Sequence, residues 1–256
     1  MTTSYVPGCT LSEEGARWLK SSVERVRSDE GALDRLFPAA GRACGRAPVP
    51  GEPGWTVDQV VRAELLRALP HTGARLGEIL FELYAHGDAA ERLAVLKSLP
   101  ALAAHSGLGD AGLPIVRDAL RTNDARLVEA ALGSYAAEHL PDHAYRQAVL
   151  KCVFIGVPLR AVAGLDRRAD EELARMMAGY AEERLLAGRA VPPDVWPLVE
   201  GHPAHLTRIH ALLAETSRPA TEPNPPPTTP HPPPATNPPP VPPHPDVTGG
   251  RRDAPA

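Results

Sequence analysis

The stretch DHAYRQAVLKCVFIGV, Asp142–Val157, decides the fold. Its second half, Val149 to Val157, is the most continuous apolar run in the chain and has the length of a buried strand. Lys151 places a charge inside that run, and Asp142 offers a helix start. Both features favour a buried helix over 142–155, and with it a chain without strands.

Moving outward, apolar residues recur at steps of three and four, not two. Thr10 with Glu13 has capping-box spacing and opens a helix carrying Leu11, Trp18, Leu19, Val23 and Val26. Asp29 starts a short second helix with Leu33, Leu36 and Phe37, followed by a Gly/Pro-rich loop over Gly41–Gly54. Thr56 with Gln59 repeats the capping box ahead of a helix that stops at Pro70. Thr72–His86 forms the next, closed by a left-handed Gly87, and Asp88 with Glu91 opens one that ends before Pro100. Further helices fit 113–121, 124–139, 170–187, 194–200 and 204–215, with Gly188 after the third of these.

Connections are short, which favours antiparallel neighbours. Glu64-Leu65-Leu66-Arg67-Ala68-Leu69-Pro70 is echoed by Ala94-Val95-Leu96-Lys97-Ser98-Leu99-Pro100, and Leu140-Pro141 ends a third segment in the same way. The expected class is all-α: stacked antiparallel helix pairs forming a HEAT-like α-solenoid, or an irregular helical bundle. Residues 1–218 form one helical domain in this reading. More than half of the 30 prolines follow Arg218, so 219–256 is expected to be a disordered proline-rich tail. A ligand for a proline-binding groove is one use for such a tail, and a solubilising extension is the simpler one.

Composition narrows the function. The 256 residues are 43% hydrophobic but only 4% aromatic, so the core is aliphatic. A net charge of −4 argues against a nucleic-acid partner, which usually shows as a basic excess. Cys9, Cys44 and Cys152 are too few and too scattered for a disulfide framework, which points to a reducing, cytoplasmic setting. No signal-like segment and no membrane-length apolar run occurs.

Catalytic motifs are missing: no phosphate-binding glycine loop, no Gly-x-Ser-x-Gly elbow, no Cys-x-x-Cys. His139 and His143 are four apart, but Pro141 lies between them, so a metal pair is disfavoured. No cofactor or metal is expected, and an enzymatic activity is left open. The densest polar constellation runs from Asn123 to Arg184. Gln147 and Lys151 share one helix face, Asp166 and Arg168 occupy a turn, and Tyr180 and Arg184 share the face of the next helix. If the two helices pair antiparallel, Lys151 approaches the turn and the cations form an anion-binding corner. The alternative is an internal ion-pair network, with Asp166 holding Arg168.

These same segments resemble the EboA domain. The likeness is carried by Arg146–Leu159, by Gly164–Met176, by Tyr180–Arg184 continuing through Ala187-Gly188-Arg189 to Trp196, and by Leu120–Asn123. It extends over 65–196 and departs from the family at Asp170-Glu171, where Asn-Pro is usual, and at Leu185, near which the family tends to have a Trp. The resemblance implies a protein encoded beside a prenyltransferase, a TatD-like hydrolase and sugar-phosphate-type enzymes, in a group that makes or moves a small metabolite. It transfers no catalytic residue. The expected function is a noncatalytic helical-repeat protein in metabolite synthesis or traffic alongside ebo-cluster enzymes. It would bind a small anionic metabolite or a partner enzyme through Asn123, Gln147, Lys151, Asp166, Arg168, Tyr180 and Arg184. The rival is an isomerase or hydrolase of a polar or phosphorylated metabolite, with Asp166 and Glu182 as acid and base.

Overall fold

A computed structural model describes residues 9–216, so the expected tail lies outside the described residues. Every regular element among them is helical: α1 Glu13–Ser28, α2 Leu33–Cys44, α3 Val57–Arg67, α4 Gly73–His86, α5 Ala89–Ser106, α6 Leu113–Ala119, α7 Ala125–Ala131, α8 Ser134–His139, α9 Asp142–Ile155, α10 Leu165–Arg168, α11 Glu171–Leu186, α12 Trp196–Glu200 and α13 Leu206–Thr216. Val149–Val157 is therefore helix and its C-cap, with Gly156 in the left-handed conformation that closes α9. Among the described residues no helix is long and apolar enough to cross a membrane.

Local chemistry accounts for several helix starts. Asp88 and Glu91 complete a reciprocal capping box, each side chain accepting the other's backbone N–H at 2.9 and 3.1 Å. Gln59 accepts from the Thr56 N–H, and Asp170 accepts from Leu173 N–H at the head of α11. At α1 the cap is Ser12, not Thr10: its hydroxyl takes the Gly15 N–H at 3.1 Å.

Packing overrides punctuation at two prolines. α2 runs through Pro38 and Gly41 to Cys44, where a loop is expected from Gly41, because Leu33, Phe37 and Ala40 bury one continuous face. α5 runs through Pro100 to Ser106, holding Leu96, Leu99 and Leu102 in the core. Each fully buried leucine contributes about 1.5–3 kcal/mol, comparable to the cost of an interior proline at about 3 kcal/mol. The Leu-Pro echo thus marks a helix end at Pro70 but a helix interior at Pro100. The segment 124–139 breaks at Leu132-Gly133 into α7 and α8. Gly87 is extended rather than left-handed (φ −73°), and its role is close approach: a Cβ there would stand 2.7 Å from the Leu83 carbonyl oxygen.

Helices close in sequence are close in space. α3 packs on α1, α2 and α5; α5 on α4, α7 and α8; α7 on α9; α9 on α11; and α11 on α12 and α13. One large aliphatic core runs through all of them, and a small second one gathers Ala40, Val49, Val57, Val60 and Val61 under the 45–56 loop. Lys97 ties that loop down, donating to the Gly54 carbonyl and to Gln59, with its ammonium 5.2 Å from the Trp55 ring centre.

Candidate functional site: a cleft between α2 and α4

The predicted polar corner divides into two places. α9 and α11 run in the same direction: Arg146 near the start of α9 pairs with the α11 cap Asp170 at 2.5 Å, while Phe154 near its end meets the edge of the Tyr180 ring at 4.9 Å. The antiparallel expectation fails because the 156–170 connection carries the chain back along the length of α9. Arg168 therefore sits at the start of α9 and Arg184 beyond its end, with the Tyr145-to-Phe154 span alone covering about 13 Å at the helical rise.

At the first place Arg168 is a helix clamp. It donates to the Ala136, Ala137 and Leu140 carbonyls at the end of α8, the first of which also takes the Leu140 N–H, and to Asp142 at 2.7 Å. Its carboxylate partner is Asp142, not Asp166. Asp166 itself is exposed on α10. At the second place Arg184 gives two hydrogen bonds to the Ala190 carbonyl and covers buried Tyr180 at 5.9 Å. Gln147 is exposed and Lys151 half-buried beside Phe154, which is 60% exposed. Lys151 forms no hydrogen bond or ion pair among the described residues. Asn123 is exposed in the turn before α7. Glu182 is held by Arg208 of α13 at 2.7 Å, so the two carboxylates considered as acid and base stand at opposite ends of the α9–α11 pair.

The histidine pair likewise separates. His139 stacks on Tyr135 at 4.4 Å and faces Asp110 at 2.8 Å, while His143 is exposed on α9. No group of three or more His, Cys, Asp or Glu able to hold a metal occurs among the described residues. All three cysteines are free thiols, and burial pushes Cys152 up to about 12 and Cys44 up to about 11.

A ligand-sized space opens instead between α2 and α4, closed at one end by the start of α5. The cleft holds about 700 Å³. Leu33, Phe37, Ile79 and Leu83 form its floor, and Glu30, Asp34, Glu78, Glu82 and Glu91 surround them. Helical spacing produces this arrangement: Glu78 and Glu82 are four apart on α4, as are Ile79 and Leu83 beside them. Arg75 lines the same space and is spent on carboxylates, at 2.5 Å from Glu30 and 3.2 Å from Glu78. That bond from Arg75, with His71 adding to it, holds the Glu30 carboxyl below its usual range.

Behind the Glu91 end lies a buried charge. Arg62 of α3 is fully buried, donates from Nε to the Phe37 carbonyl at 3.0 Å and pairs with Asp58 at 2.5 Å. Its Nη2 forms a long ion pair with Glu91 at 3.8 Å, beyond hydrogen-bond reach, and makes no hydrogen bond among the described residues. None of these residues is a site candidate in the sequence, where Leu33 and Phe37 read as core and Glu91 as a cap. The available signals were Pro38 in mid-helix and the Glu78, Glu82 pair.

The fold and this space define an all-helical protein with a cleft of small-molecule size. Residues 39–200 match the model of the family described as Metabolite traffic protein EboA, and the chain belongs to that family. Its role is accordingly a metabolite-related one. No curated protein and no solved structure matches the chain. The α4 wall of the cleft falls within the matched residues, whereas the α2 wall from Glu30 to Pro38 precedes them.

Proposed function

We propose that the chain is a noncatalytic binding protein that receives a small metabolite in the α2–α4 cleft and acts in its synthesis or traffic alongside ebo-cluster enzymes in the cytoplasm. The observation that carries this reading is the cleft itself. Its volume of about 700 Å³ lies in the range of small-molecule sites, and an apolar floor with a few polar groups can bury a carbon skeleton while fixing its orientation. Stacked helices of HEAT-like character would add an extended outer surface for partner enzymes. Lys151, with its donors uncommitted beside exposed Phe154, is the member of the predicted set best placed to touch such a partner or an anionic group.

Native mass spectrometry of the full chain purified from its own cells tests this. A small molecule should travel with the wild-type protein and be absent from a Leu83→Trp variant that fills the cleft and still melts cooperatively. A molecule retained equally by both would contradict the reading.

A further inference from the structure

The fold brings two of the three thiols to one place. Cys9 precedes α1 and Cys44 ends α2, yet both are half-buried and both pack on the small core of Ala40, Val49, Val57, Val60 and Val61. Cys44 lies one turn beyond Ala40 on the same face of α2. Its thiol donates to the Gly15 carbonyl at 3.7 Å. Ser12, the cap of α1, borders the same glycine: a Cβ on Gly15 would stand 3.3 Å from Ser12 Oγ and 3.6 Å from Cys44 Sγ. Cys9 lies only three residues before Ser12, a reach of at most about 11 Å along the chain. Leu11, between them, packs on the same small core and so folds that segment towards the end of α2. The two sulfurs also feel each other's charge, since burial first and Cys9 second push Cys44 up to about 11. Cys152 is sealed in the main core, far from both in its packing.

Cys9 is the reachable member of the pair. It lines a second cavity of about 670 Å³ between α1 and α3, and Cys44 does not. Leu11, Leu19 and Val23 belong to the apolar wall of this cavity, and Lys20 and Arg27 are exposed at its rim. Neither of these two cations has an ion-pair partner among the described residues, and cations outnumber carboxylates among the lining side chains. A small anionic reagent is thereby favoured beside the Cys9 sulfur.

We propose that Cys9 and Cys44 are a redox modification site, forming a reversible disulfide that clips the segment before α1 to the end of α2. The oxidant is a low-molecular-weight anionic disulfide of the oxidised glutathione class. The Cys9 thiolate attacks one sulfur of that disulfide, which forms a mixed disulfide and expels one glutathione thiolate. Cys44, once deprotonated, attacks the Cys9 sulfur, which forms the Cys9–Cys44 bond and expels the second glutathione thiolate. Two protein thiols are oxidised, one external disulfide is reduced to two thiols, and the two protons end on the released glutathione. Burial raises both thiols, so the reduced pair gains no stability as a thiolate and does not resist oxidation in the way a low-value thiol does. In a reducing setting the pair rests as thiols, and it links when the glutathione pool is oxidised. Neither cysteine lines the α2–α4 cleft, so this site stands or falls separately from it.

Peptide mapping by mass spectrometry tests the site on the folded full chain after incubation with oxidised glutathione and blocking of remaining thiols. The expected product is lighter than the reduced chain by two hydrogen atoms, carries a Cys9–Cys44 cross-linked peptide, keeps Cys152 as a thiol and returns to the starting mass with dithiothreitol. The linked chain should melt higher than the reduced one by about 5 °C or more, as a closed loop restricts the unfolded state. Cys44→Ser should stop at a glutathione adduct on Cys9, and Cys9→Ser should leave Cys44 unmodified. Both thiols still open to alkylation in the wild-type chain, a glutathione adduct that persists on Cys9 with Cys44 present, or a bond to Cys152 or to a second chain would overturn the proposal. So would a linked chain that melts below the reduced one, because the bond would then form only by distorting the fold.

Discussion

The Arg168 guanidinium lies 4.1 Å from the centre of the Tyr145 ring while its donors reach three carbonyls of the α8 terminus and the Asp142 carboxylate. One side chain thereby closes α8, starts α9 and holds α10 against both. The Tyr145 hydroxyl completes the joint by donating to the Ala163 carbonyl at 2.7 Å.

Arg168→Ala should cost about 3 kcal/mol, from lost charge-assisted hydrogen bonds and the cation–π contact. Arg168→Lys should restore little, because an ammonium cannot span the same fork of acceptors. Lys151→Ala should stay within about 0.5 kcal/mol of wild type. Urea unfolding of the three variants measures this, and equal effects at 151 and 168 would contradict the clamp.

Arg62→Ala leaves the 2%-exposed Asp58 carboxylate buried without its cation. The expected loss is about 3–5 kcal/mol. Replacing the pair together, as Arg62→Met with Asp58→Leu, should recover most of it, since the desolvation of both charges is removed at once. Chemical unfolding of the single and double variants reads the difference.

Tyr135 serves the turn that α4 packs against. Its hydroxyl accepts the Gly112 N–H at 3.0 Å and donates to the Gly109 carbonyl at 2.6 Å. Tyr135→Phe strands both groups and should cost about 1–3 kcal/mol. Hydrogen exchange should show the 109–112 turn losing protection before the rest of the core.

Acid should weaken the α9–α11 joint. The bond from Arg146, then the Leu173 N–H, holds the Asp170 carboxyl below its ordinary value. A carboxyl lowered in the folded state adds stability above its unfolded value of about 3.9, and that contribution disappears as pH falls through the lower folded value. The unfolding midpoint of wild type should therefore drop below about pH 4 more steeply than that of Asp170→Asn. Parallel slopes would show the pair to be without effect.

Much of the fold is legible in the sequence where a cap coincides with the start of an apolar stripe. Asp88/Glu91, Thr56/Gln59 and Asp170 each place a helix within a residue of its observed start. Gly41 misleads as the start of a loop and Pro100 as a helix end, because α2 and α5 continue where their buried faces outweigh the local cost. The site is less legible. Gln147 with Lys151 and Tyr180 with Arg184 share faces as spacing requires, but the relative direction of α9 and α11 depends on the path of the 156–170 connection. The cleft was hidden for a similar reason: its carboxylates are 61 residues apart from Glu30 to Glu91, and only the packing of α2, α4 and α5 assembles them.

The central claim, that the metabolite sits between α2 and α4, is tested most directly by hydrogen exchange of the full chain with and without a small-molecule extract of its own cells. Slower exchange confined to residues 30–38 and 75–91 is the predicted result. Protection confined to the faces around Lys151 and Arg184, or no change along α2 and α4, would contradict it.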